Sequence, residues 1–105
     1  MCRITVLMSV FNGEQFLRDA IDSILRQTYK DFEFVIYDDC STDSTSEIIQ
    51  SYDDKRIVYR RNAQNQGLTR NLADGIAKSA AQYIARMDAD DIAFPERLEK
   101  QVAWM

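Results

Sequence analysis

Ile4-Thr5-Val6-Leu7-Met8-Ser9-Val10 is an apolar, β-branched run that Asn12-Gly13 stops. A short continuous apolar run between turn residues reads as a strand covered on both faces. Beyond it, Phe16, Leu17, Ala20, Ile21, Ile24 and Leu25 recur at helical spacing and predict an amphipathic helix. Phe32 to Tyr37 repeats the buried-strand pattern and ends in Asp38-Asp39. Ser41-Thr42-Asp43 opens a second helix, with Ser44 and Glu47 spaced as a capping box and Ile48, Ile49 and Tyr52 inward. Arg56 to Arg60 is a more polar strand, expected near a sheet edge. After the Asn62–Gly67 loop, a third helix is expected to bury Leu68, Leu72, Ile76 and Ala80, with Ala73 and Ala77. Tyr83 to Met87 is a fourth strand, and Pro95 fits the first turn of a last helix carrying Leu98 and Val102 inward.

Strands alternating with helices of this length imply parallel pairing through right-handed crossovers. All four strands then point one way. Their C-terminal ends bring Ser9 to Asn12, Asp38-Asp39, the Asn62–Arg70 loop and Asp88-Ala89-Asp90 to one edge. Open α/β sheets bind ligands at that edge.

Composition narrows the function. The 105 residues suit one domain or a piece of one, and 46% apolar content can fill a core. Thirteen basic against 17 acidic residues, net −4, argue against nucleic acid, since no basic run exists to neutralise phosphates. With no histidine, imidazole general-base chemistry, Ser-His-Asp triads and His-ligated zinc are excluded within this chain. Cys2 and Cys40 match no metal spacing and read as free thiols of a reducing compartment. The first apolar run is too short to span a membrane. A cytoplasmic location is expected, free in the cytoplasm or at the cytoplasmic face of the membrane.

Arg86-Met87-Asp88-Ala89-Asp90-Asp91-Ile92 carries the chemistry. In extended backbone residues i and i+2 point the same way. Asp88 and Asp90 can then reach one hard cation, Mn2+ or Mg2+, which keeps waters and takes substrate phosphates as further ligands. The competing reading is a strand followed by a solvated acidic turn. Asp39, ending a buried strand, needs hydrogen-bond donors, which a nucleotide base or ribose offers; capping of the following turn with Asp38, Ser41 and Thr42 is the competing role. Arg70 could meet a diphosphate, or stand exposed. Asn65, Gln66 and Gly67 would let backbone approach a ligand, or form an ordinary turn. No Gly-x-Gly-x-x-Gly or Walker lysine motif is present.

Several segments together resemble the family 2 glycosyltransferases of GT-A fold. Val6 to Glu14 is similar to their opening strand, and Ser23 to Tyr29 with Phe32 to Asp43 to their first helix and second strand. Asn65 to Asn71 resembles their loop before the third helix, and Asp88-Ala89-Asp90-Asp91 with Pro95-Glu96-Arg97-Leu98 their DxD motif and the helix after it. Departures are Ser9 where proline is usual, Cys40 where glycine is usual, and Ala81 where glycine often precedes the fourth strand.

The resemblance implies a three-layer α/β/α sandwich with a Rossmann-like parallel sheet of order 3-2-1-4. It implies a nucleoside-diphosphate-sugar donor, expected to be a UDP-sugar, and a saccharide or lipid-linked acceptor. Transfer would invert the anomeric centre, in cell-surface polysaccharide or glycoconjugate synthesis. Asp39 would hold the base or nucleoside, with Ser9 and Phe11 lining that pocket. Asn12, Glu14, Gly67 and Arg70 would belong to the same donor site. Asp88, Ala89 and Asp90 would complete it, Asp88 and Asp90 binding the metal. The catalytic base is expected outside residues 1–105, which read as the N-terminal donor-binding part of a longer domain and inactive alone. Self-association through the open fourth-strand edge is expected. The alternatives are a non-catalytic nucleotide-binding or interaction module and a phospho-receiver-like signalling domain, which would need a lysine closing a late strand.

Overall fold

A computed structural model describes residues 3–89 and 93–104 of the chain, with side chains to residue 100. Cys2, Asp90, Asp91 and Ile92, and the side chains of Val102 and Trp104, lie outside the described residues. The elements run β1 (Ile4–Val10), α1 (Leu17–Leu25), β2 (Phe32–Asp38), α2 (Thr45–Gln50), β3 (Ile57–Arg61), α3 (Leu68–Lys78), β4 (Tyr83–Arg86) and α4 (Arg97–Trp104).

All the strand pairs are parallel and the order is β3-β2-β1-β4, as predicted. β1 and β2 are buried almost throughout because helices cover both faces. Ile4, Val6, Met8 and Val10, with Phe32, Phe34 and Ile36, face α1, α2 and α4, meeting Leu17, Ile21, Ile24, Ile48, Ile49 and Leu98. Each such burial stabilises by about 1.5–3 kcal/mol. Leu7, Val35 and Tyr37 face the other way and make a smaller cluster with Val58 and Leu72. The layers are therefore α/β/α.

This topology places the ligand crevice. The chain steps from β1 out to β3 with α1 and α2 on one face, then returns past β1 to β4 with α3 on the other. A return under constant crossover handedness requires the opposite face. The order thus reverses between β1 and β4, and ligands bind outside the strand ends at such a point.

The predicted stripe of α3 is not its buried face. Asn71 and Gly75 are buried, whereas Leu68 and Ile76 are 42% and 54% exposed. A Cβ on Gly75 would stand 2.7 Å from a Leu7 methyl, so a larger residue there would require the Leu7 side chain to shift. Its seat is polar as well as apolar. The Tyr37 hydroxyl donates to Asp74, Arg60 Nη1 donates to the Tyr37 oxygen at 2.8 Å, and Lys78 pairs with Asp74 at 3.1 Å.

The capping box at Ser44 and Glu47 does not form: α2 has no side-chain bond from Ser44 to its first turn. Asp43 Oδ1 accepts the Thr45 N–H at 2.9 Å instead, and Glu14 Oε2 accepts the Ser44 N–H at 2.9 Å. Phe16, expected on the buried face of α1, precedes the helix and is 52% exposed. β4 ends at Arg86, although the Met87 N–H still reaches Leu7 O at 2.9 Å.

Candidate functional site

The end of β1 is sewn to the turn after β2. Asn12 takes a left-handed backbone, φ 51, where asparagine is among the better-tolerated residues. Its N–H donates to Ser41 Oγ at 2.9 Å and its Oδ1 accepts the Thr42 N–H at 2.8 Å. The Gly13 N–H donates to Thr45 Oγ1 at 2.9 Å. Glu14, a predicted donor-site residue, thus sits at this seam with its carboxylate on Ser44.

The two aspartates ending β2 divide their work. Asp38 is fully buried and accepts bonds from the Ser41 N–H at 3.0 Å, the Tyr59 hydroxyl at 3.0 Å and Arg61 Nη1 at 2.8 Å. It is the turn cap that the sequence left open, made affordable in the interior by the Arg61 ion pair.

Asp39, 3% exposed, faces the loop after β3. Oδ1 accepts from Asn62 Nδ2 at 2.8 Å and the Gln66 N–H at 2.9 Å, and Oδ2 accepts the Gly67 N–H at 2.9 Å. Burial pushes this carboxyl up, but the donors from Gln66, Asn62, Gly67 and Asn71 outweigh it and hold it below the usual carboxylate range. Gly67 has φ 90 and ψ 160, backbone that is essentially glycine's alone. Asp39 therefore shapes the loop from within. A carboxylate has about four lone-pair sites, and these three bonds leave Oδ2 capacity for a ligand donor.

A chain of amides extends this cluster to β1. Asn62 Nδ2 also bonds Asn71 Oδ1 at 2.7 Å, and Asn71 Nδ2 donates to Ser9 Oγ at 2.8 Å. Ser9, Asp39 and Gly67, singled out from sequence, are thus joined through Asn62 and Asn71, which were not. A buried polar residue on the first turn of α3, between Leu68 and Leu72, was the available signal. Cys40, next to Asp39, has φ 64, the conformation that glycine adopts easily.

At the reversal point between β1 and β4 lies a cavity of about 230 Å³ lined by Phe11, Asn12, Gly13, Phe16 and Ala89. Phe11, 52% exposed, offers an aromatic wall there. Phe16 and Gly13 are lining residues that sequence reading did not pick as such. Asp88 follows β4, half exposed, with its Oδ1 3.2 Å from Arg86 Nη2. Arg70 is exposed on the first turn of α3. Asp90, the second predicted metal ligand, lies outside the described residues. No group of three or more metal-ligating side chains occurs among the described residues. No described helix is long and apolar enough to cross a membrane.

Comparison with known proteins agrees with this geometry. A family model described as Glycosyl transferase family 2 matches residues 5–105. The chain is 44% identical over 108 residues to an uncharacterized glycosyltransferase of Methanocaldococcus jannaschii, covering 97% of this chain and 37% of that protein. The fold matches S. aureus TarS 1-349 in complex with UDP-GlcNAc at TM-score 0.86 and 27% identity, over 97% of this chain and 30% of that one. It matches mannosyltransferase PcManGT from Pyrobaculum calidifontis, in complex with GDP-Man and Mn2+, at TM-score 0.88 and 22% identity, over 97% and 32%. That last likeness shows the fold alone. The chain spans less than half the length of each of these proteins.

Proposed function

This chain belongs to glycosyl transferase family 2, and from that premise we propose that its strand-end cleft binds a nucleoside-diphosphate sugar, a UDP-sugar, as glycosyl donor. The observation that carries this is the cavity at the β1–β4 reversal, with the Phe11 ring on its wall and the Asp88 carboxylate following β4. An aromatic face stacks bases, and a strand-end carboxylate suits a cation that meets phosphates. A TarS structure holds UDP-GlcNAc, which supports the ligand class.

In this proposal Asp39 and the loop it shapes hold the nucleoside, with Ser9, Asn12 and Gly67 fixing that wall. Arg70, exposed on α3, is free to swing toward phosphate; guanidinium pairs with it bidentately. Asp88 and Asp90 would hold Mn2+ or Mg2+. Their hard oxygens fit such a cation, and so few ligands fit one that takes phosphate oxygens as well. Bound there, it would neutralise the departing nucleoside diphosphate as a Lewis acid. The acceptor, a saccharide or lipid-linked sugar, and inversion at the anomeric carbon follow from the resemblance. β4, at a sheet edge with Ile84 36% exposed, further supports pairing between copies of the chain.

Calorimetric titration with UDP and GDP, with and without Mn2+, tests the donor site. Mn2+ should tighten UDP binding, and Asp88→Ala should remove about tenfold or more of that gain. No UDP binding, or a manganese gain untouched by Asp88→Ala and Asp90→Ala together, would refute the assignment.

A further inference from the structure

Gln27, just beyond α1, plays no part in the donor site described above, yet its side chain is fully buried. A buried primary amide is costly unless its groups find partners. Nε2 donates to Ser23 O at 3.1 Å and to Phe94 O at 2.7 Å, while Oε1 accepts the Leu98 N–H at 2.9 Å. Two of these bonds leave α1 and grip the backbone that follows the acidic stretch. Ser23, also buried, lies one helical turn back. Its Oγ accepts the Ala93 N–H at 3.0 Å while donating to Ala20 O at 2.7 Å. The Thr28 N–H adds a bond to Pro95 O at 2.8 Å.

The same stretch is tied on its upstream side. The Met87 N–H reaches Leu7 O at 2.9 Å, and Arg97 Nη2 reaches Arg86 O at 2.8 Å. The chain is therefore anchored to the sheet at Met87 and to α1 from Ala93 onward. Between those anchors, in sequence, stand Asp88 and Asp90. A methionine or leucine would fill the space at position 27, since volume alone is what apolar packing needs. Only a group with both a donor and an acceptor holds two backbone atoms of another segment in one register.

We propose that Gln27, assisted by Ser23, is a positioning residue that sets how the chain after β4 presents Asp88 to the donor phosphates; this rests on the donor-site reading above. Gln27 touches no ligand in this account. Its effect passes through the anchored backbone, as with the outer-shell partners of metal ligands, whose loss costs about 10–100-fold in metal affinity.

The test uses the chain, its Gln27→Met variant and its Ser23→Ala variant, with two probes below the unfolding temperature. Uridine reports the nucleoside subsite without metal. UDP with and without Mn2+ reports the metal-linked gain. Gln27→Met should cut the manganese gain about tenfold and leave uridine affinity as in wild type, with Ser23→Ala following in the same direction by less. Gln27→Glu keeps the acceptor for Leu98 and should fall between. An unchanged manganese gain in a folded Gln27→Met protein overturns the proposal. Equal losses for uridine and for the manganese gain overturn it too, since they show general loosening. If Gln27→Met does not fold, Ser23→Ala decides by the same two readouts. Wild type is read first: no manganese gain there defeats the donor-site reading and this inference with it, whereas a gain that the variants preserve defeats this inference alone.

Discussion

Asp39→Asn isolates what a buried carboxylate does for the loop it organises. Asn keeps the size and one acceptor oxygen but turns the other into a donor. If Oδ2 becomes the amide, the Gly67 N–H faces another donor, and the bonds from Asn62 and Gln66 become neutral ones. Losing one hydrogen bond to a charged group costs about 1.5–3 kcal/mol. Gln66 is exposed and Gly67 half-buried, so water can reach the freed N–H, and about 2 kcal/mol is the expected loss at pH 7. Domains of this size hold about 5–15 kcal/mol, so the variant should still fold. The sign with pH follows from the depressed carboxyl. Its folded value lies below the unfolded value of about 3.9, so its stabilisation is fully present above that value and is lost as pH falls through the folded one. Asn does not titrate. Urea unfolding of both proteins should show a gap of about 2 kcal/mol at pH 7 that narrows below about pH 4. A gap that stays constant down to pH 3, or no gap at pH 7, would refute the idea that ionised Asp39 holds the loop.

Other outcomes follow from the same structure. Cys40→Gly should stabilise the protein by about 0.5–1 kcal/mol in urea unfolding, because the left-handed backbone costs an L-residue about 1–2 kcal/mol while glycine's extra unfolded entropy returns part of that; a destabilised variant would show that Cys40 is held by more than backbone fit. Edge pairing through β4 should appear in light scattering as mass rising with concentration, and Ile84→Lys should suppress it; a monodisperse monomer at high concentration would refute it.

The strands were legible because β1 and β2 are covered on both faces, and double cover leaves an unbroken apolar run in the sequence. Their order was legible only with the help of crossover handedness and family likeness. α3 was misread for a physical reason. Its apolar stripe Leu68, Leu72 and Ile76 suggests a buried face, but Gly75 sets how closely the helix can lie on Leu7 and rotates burial toward Asn71. Spacing of apolar residues cannot register the residue that matters by being small. The false capping box has a similar origin, since Glu14, 30 residues away, takes the Ser44 N–H that Glu47 would have capped, while Asp43 caps the Thr45 N–H. At the site, Asp39 was picked from its place at a strand end, yet its partner Asn62 is 23 residues away and Asn71 bridges to Ser9 across 62. Such contacts exist only after the sheet has assembled.

The joint from Ser9 through Asn71 and Asn62 to Asp39 is built from a hydroxyl, two carboxamides and an acid that is ionised well below neutrality. The chain contains no histidine. Its wiring therefore has nothing to protonate between about pH 5 and 8, the span in which an imidazole would switch. Ser9, Asn71 and Asn62 should keep their spacing whether the surroundings acidify or not. On the donor-site proposal above, a titration seen in catalysis over that range would report groups outside this joint, and would serve as a clean probe of them.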